Sequence, residues 1–251
     1  MDWPRIKSVL IVLFLIINIV LICAIFYNEH EKSLVKEENV ADAVAVLQKN
    51  GVTMEDNLIS RQKDVWCSYE IELGMEEKNN IAQDLLQGEL QEQTSADNIT
   101  TTYQGEQGAL SINEKNQVNF SGSWGGEAST EQEQEKLAQQ FAEKLTSKGC
   151  SIKLQEKEYN NGEGTFTFVQ ILEGVPVSNA VLQVKVTADG VQRAEGTWLM
   201  GKLETLEERR RTDSLSALLL YPVYSGEQKA ERITGLEKAY CITVDTAGAR
   251  V

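Results

Sequence analysis

The sequence predicts an α+β fold. A single N-terminal transmembrane helix precedes an extracytoplasmic domain of antiparallel β-meanders with packed helices, in two similar subdomains. Three observations carry this expectation. Residues 9–27 (VLIVLFLIINIVLICAIFY) contain no charge, Gly or Pro. Amphipathic helix patterns open each half of the remainder, over 33–49 and 131–148. Alternating apolar strands follow each of them, and Asp189-Gly190 marks a tight hairpin between two of those strands.

The apolar run comes first. As a helix it spans roughly 28 Å, which matches a hydrocarbon core of about 30 Å. A cleavable signal has a shorter apolar core and a small-x-small end, and Ile25, Phe26, Tyr27, Asn28 and Glu29 offer no such pair. Arg5 and Lys7 before the run are balanced by Lys32 and Lys36 after it, so the charge rule sets no orientation. Asn18 is the one strongly polar residue in the run. Its amide seeks a partner in lipid, and Ile11, Phe14, Leu15 and Ile22 share its helix face, together with Leu21 and Ile25.

In the first half, Val40, Ala41, Val44, Ala45 and Leu47 form the expected stripe of the 33–49 helix, and Asn50-Gly51 ends it. Residues 64–73 (DVWCSYEIEL) read as a strand. A short helix over 76–87 turns Ile81, Ala82, Leu85 and Leu86 inward, with Gly88 beyond it. Strands are expected near 98–104, 108–113 and 116–122. The glycine-rich SGSWGGEAST (121–130) is the expected boundary. The predicted organisation is a cytoplasmic stub over 1–8, the span over 9–27, and extracytoplasmic subdomains over 28–125 and 126–251.

In the second half, Thr130 and Glu133 fit a capping box, and Leu137, Ala138, Phe141, Ala142 and Leu145 form the helix stripe. Strands are expected over 151–159, 164–173, 180–187 and 191–200. A helix near 213–221, carrying Leu215, Leu218 and Leu219, and a last strand over 238–245 complete the chain.

Composition narrows the function. Among 251 residues, 24 Lys and Arg face 38 Asp and Glu, for a net charge of −14. Such a chain lacks the basic face that nucleic acid demands. His30 is the single histidine and sits just past the span, where no Ser-His-Asp or Cys-His site is expected. Cys23, Cys67, Cys150 and Cys241 form no CxxC motif; Cys23 lies in the span, the strand cysteines 67 and 241 read as small buried residues, and one disulfide among the three external cysteines is left open with three pairings. The glycines of 122–126 match no phosphate loop. No catalytic, cofactor-binding or metal-binding residue is predicted, and the chain reads as a non-enzyme.

The N-terminus MDWPRIKSVLIVLFLIINIVL resembles the opening of the YycI (WalI) family of two-component-system regulatory proteins, through Asp2, Trp3, Arg5, Ile6, Lys7, Phe14, Leu15, Ile16 and Asn18. A second patch, residues 168–199, is similar to the family's late segment: Gln170, Gly174, Pro176 and Val177, then a hairpin ending near Trp198. PepSY-like domains share that Gly-x-Pro-Val pattern. The resemblance implies a single-pass cell-membrane protein with a cytoplasmic N-terminus and an external β-rich domain. It implies work with a YycH-like protein on a YycG (WalK) type sensor histidine kinase through contacts among membrane helices. The alternative expectation is a membrane-tethered extracytoplasmic enzyme inhibitor or ligand-binding module of PepSY-like type.

Overall fold

The structure is a computed structural model, and it describes residues 13–14, 16–23, 37–54, 58–59, 64–96, 99–212, 218, 232–245 and 248–250. The chain divides into two compact units, one of residues 1–66 and 209–237, the other of 67–208 and 238–251.

In the first unit, α1 (Glu37–Lys49) buries Ala43, Val44 and Leu47, with Val40 half-buried. These positions follow the i, i+3, i+4, i+7 spacing of one helix face. The stripe expected from sequence is corrected here, because Ala41 and Ala45 are exposed and Ala43 is fully buried. Alternating alanines at 41, 43 and 45 allow either face, and Val40, Val44 and Leu47 decide it by their larger apolar area. The helix packs with Val52, Met54, Ile59 and Leu218. Strands β1 (Thr53–Met54) and β12 (Arg232–Ile233) pair in parallel. Of the 213–221 helix expected from sequence, only Leu218 lies within the described residues.

The second unit centres on eight antiparallel strands. They are β3 (Gln91–Thr94), β4 (Thr100–Gly105), β5 (Gly108–Asn113), β6 (Gln117–Trp124), β7 (Cys150–Asn160), β8 (Glu163–Leu172), β9 (Val175–Thr187) and β10 (Gly190–Thr197). Their order across the sheet is β3-β4-β5-β6-β10-β9-β8-β7. Helix α2 (Met75–Leu86) precedes the first four, and α3 (Glu131–Leu145) precedes the second four. Each half is therefore a helix followed by a four-stranded meander. The last strands, β6 and β10, meet antiparallel at the centre, with Ala194 opposite Phe120. An approximate two-fold through that seam relates the two halves in topology.

Strict alternation puts every second residue toward the helices. Along β8, Gly164, Phe166, Phe168, Gln170 and Leu172 are buried while their neighbours are half-exposed. Along β9, Ala180, Leu182, Val184 and Val186 are fully buried. Phe141 of α3 anchors the layer between Phe120, 5.0 Å away, and Trp124, 5.3 Å away at 77°. Both outer strands resist further pairing. β3 is four polar, exposed residues, and β7 is bulged between Leu154 and Glu156 and charged along its length. Short, charged and bulged edges block edge-to-edge association.

The capping box of α3 forms as the sequence predicts: Glu133 N–H donates to Thr130 Oγ1 at 3.2 Å, and Thr130 N–H to Glu133 Oε2 at 3.0 Å. That second bond holds the Glu133 carboxyl below its ordinary range. This half of the box therefore acts above the ordinary carboxylate range and is lost as the pH falls through the lowered folded value. Thr130→Ala is expected to cost about 1 kcal/mol, read as a lower midpoint in thermal unfolding.

A smaller sheet has the order β11-β2-β14-β13, from β11 (Lys202–Thr212), β2 (Asp64–Glu72), β14 (Gly248–Arg250) and β13 (Thr243–Asp245). Strands β1, β3, β11, β12 and β14 are additions to the expected set. The expected 238–245 strand is shorter, with Tyr240 making an isolated parallel bridge to Val177 ahead of β13.

Candidate functional site

The sequence-predicted site residues lie in the N-terminal segment. Residues 13–14 and 16–23 are helical, so Phe14, Asn18 and Ile22 fall four apart on one face. Leu13, Phe14, Ile16, Ile17, Ile19, Val20, Leu21 and Ile22 are 49 to 68 % exposed, so apolar side chains face outward all round. Asn18 Nδ2 donates to Phe14 O at 2.8 Å. That uses one of the two N–H donors of the amide, which also carries an acceptor oxygen. Ile11, Leu15, Asp2, Trp3, Arg5, Ile6 and Lys7 lie outside the described residues, as does His30. No helix among the described residues is long and apolar enough to cross a membrane; 9–12, 15 and 24–27 of the expected span fall outside them.

The large sheet offers a second surface. Its face away from α2 and α3 carries Thr, Ser, Asn and Gln side chains at alternate positions of β4, β5 and β6, and Arg193, Glu195 and Thr197 on β10. A recess of about 420 Å³ lies there, lined by Thr100, Ser111, Asn113, Asn119, Glu195 and Thr197 among others. Asn113 shapes its rim: Oδ1 accepts from Lys115 N and Gln117 N, and Nδ2 donates to Gln117 Oε1 at 2.7 Å. Thr102 and Ser111 hydroxyls share a bond of 2.9 Å across β4 and β5.

The third feature is the corner after β10. Trp198, Leu199 and Met200 are fully buried. Gln170, itself fully buried, grips Leu199 at both ends: Leu199 N–H donates to Oε1 at 2.6 Å, and Nε2 donates to Leu199 O at 3.0 Å. Trp198 N–H donates to Asn116 O at 2.8 Å, and its indole Nε1 donates to Thr146 Oγ1 at 3.1 Å. Thr146 in turn donates to Ala142 O. Thus the resemblance patch at Gln170 and Trp198 converges on one packed corner at the end of α3.

Among the described residues no group of three or more His, Cys, Asp or Glu is placed to hold a metal ion. Burial pushes the Cys150 thiol up to about 11, far from a reactive thiolate. Cys67 is half-buried, whereas Cys241 is exposed, which corrects its expected burial. Tyr240, whose hydroxyl donates to Glu173 Oε2 at 3.2 Å, is pushed up to about 12 by burial and then by that carboxylate. Tyr69 packs edge-on against Tyr240 at 6.0 Å.

A helix and four-strand meander, present twice and sharing one sheet, defines the class: a duplicated α+β module. The family model described as "YcdB, YcdC repeated domain" matches residues 37–192, and the chain belongs to that family. The match runs from the start of α1 into β10 and takes in residues 168–192 of the late patch. The N-terminal residues that resemble YycI lie outside it. No curated protein matches the chain.

Proposed function

We propose that the chain is a membrane-anchored regulator of a YycG/WalK-type sensor histidine kinase, non-catalytic and acting with a YycH-like partner through helix contacts in the membrane. In this reading residues 1–8 are cytoplasmic, 9–27 cross the membrane and 28–251 lie outside. The supporting observation is the helical residues 13–14 and 16–23, whose large side chains are apolar and exposed on every side around one amide. A helix apolar all round belongs in lipid or among other helices. The MDW-x-R-I-K opening, which resembles YycI, supplies the class of partner.

Asn18 is the residue that tests this. Its bond to Phe14 O leaves one N–H and the oxygen for a neighbouring helix. Asn18→Leu is expected to weaken association with the kinase by about 0.6–2 kcal/mol, or roughly 3–30-fold, while insertion survives. Leu13→Ile should do much less. Crosslinking within the membrane, with signalling output read in parallel, checks this. Wild-type crosslinking and output from Asn18→Leu would mean that the amide serves only its own helix.

The recess on the open sheet face favours a second reading, an extracytoplasmic ligand-binding or enzyme-inhibiting module of PepSY-like type. Co-purification with a sensor kinase in detergent supports the first reading, and recovery of an external enzyme instead supports the second.

A further inference from the structure

A cavity of about 520 Å³ opens where α2, the end of α3 and the start of β11 converge. Small-molecule sites commonly have roughly 300–1,000 Å³. Ile81, Leu145 and Leu203 give it apolar wall, and Lys144, Lys148 and Ser147 line it beside them. We propose that this cavity binds a small organic anion with an apolar stem, the stem against the three aliphatic side chains and the charge between Lys144 and Lys148.

Charge supports this choice. The chain carries −14 overall, yet this cavity is lined by three lysines and one carboxylate, Glu77. Lys202 is committed elsewhere: its ammonium bonds Glu204 at 2.5 Å, with Glu72 and Glu77 adding to the field that keeps it charged. Lys144 and Lys148 have no ion-pair partner among the described residues. The carbonyl end of α3 favours cations there, which accounts for their placement and opposes an anion by itself. Thr146 reduces that opposition, because its hydroxyl donates to Ala142 O at 2.7 Å and its N–H to Glu143 O at 3.1 Å.

The second observation is Ser147. It is 4 % exposed, and its Oγ is buried without a hydrogen-bond partner. A buried hydroxyl left unpaired is uncommon and costly, and because Ser147 lines the cavity, turning Oγ toward a ligand oxygen there would satisfy it. Its backbone is fixed on both sides, with Ser147 N–H donating to Leu199 O at 3.1 Å and Cys150 N–H donating to Ser147 O at 3.2 Å. The buried Trp198 corner therefore holds the cavity wall in place.

The test uses the full chain in lipid nanodiscs and three probes: hexanoate, hexanol and inorganic phosphate. Hexanol keeps the stem without the charge, and phosphate keeps the charge without the stem. Hexanoate is expected to raise the unfolding temperature saturably, and the other two to do so at least about tenfold more weakly. The double variant Lys144→Gln/Lys148→Gln should stay folded, since both side chains are exposed, with a slightly lower unfolding temperature because two cations leave the carbonyl end of α3. It should also lose the hexanoate response by about tenfold or more. A folded double variant with the parent's hexanoate response overturns the proposal. So do equal responses to hexanol and hexanoate, phosphate as strong as hexanoate, or no response to hexanoate.

Discussion

Gly122→Ala is expected to destabilise the large sheet by about 3–4 kcal/mol. Gly122 of β6 faces Gly108 of β5 across the sheet. A Cβ at Gly122 would collide with the Gln107 carbonyl oxygen and stand 2.7 Å from Gly108 Cα. Both obstacles are backbone, so no rotamer change relieves them. Neither can the turn move freely: Gln107 O accepts from Ser123 N–H at 2.8 Å, and Gln107 N–H donates to Leu86 O at the end of α2 at 3.0 Å. Making room for one methyl would therefore lift the β4–β5 turn off both its partner strand and its helix. Gly108 is under the same constraint: its φ is +135, and a Cβ added there would stand 2.5 Å from Gly122 Cα. For a chain of this size the melting temperature should fall by roughly 6–16 °C. Thermal unfolding followed by tryptophan fluorescence reads this through the buried Trp124 and Trp198. By contrast Gly126, whose Cβ would meet nothing within 4 Å, should be limited to the smaller strain of its φ of +88.

Gln170→Leu is expected to cost about 2–3 kcal/mol even though the replacement fills nearly the same space. The substitution leaves Leu199 N–H buried without its acceptor, and Leu199 O keeps only the bond from Ser147 N–H. Gln170→Glu should be at least as damaging. It keeps an acceptor for Leu199 N–H but sets a carboxylate against Leu199 O in a fully buried place. The ordering of the two variants, read by denaturant midpoints, separates a paired amide from simple space filling. If the loss came from volume alone, the leucine variant would match the parent.

The legibility of these features in the sequence followed their chemistry. Helix α3 was readable because its stripe and its Thr130–Glu133 box agree, although it ends at Leu145, three residues before the expected 148, and α2 because Ala82, Leu85 and Leu86 admit one inward face. In α1 the run of alternating alanines blurred the face by two positions. Strand β3 was invisible because Gln91–Thr94 contains no apolar residue. Strand β11 (KLETLEERRRT) has the charge density of an exposed helix, and only pairing in a sheet makes it a strand. The amide of Gln170 gave no signal, since a polar residue at an inward position is seen only once its partner 29 residues away is placed. The cavity at the end of α3 was equally hidden, because its lining comes from residues 77–81, 144–148 and 201–203. What the sequence did expose was the apolar N-terminal run with one amide, and the proposed function rests there.

Reconstitution with the kinase tests that proposal most directly. A YycG/WalK-type sensor kinase and its YycH-like partner would be placed in lipid vesicles with or without the full chain, and kinase autophosphorylation measured. The account predicts a shift in autophosphorylation when the chain is present, diminished by Asn18→Leu. An identical rate with and without the chain, with all three proteins verified in the same vesicles, would contradict it.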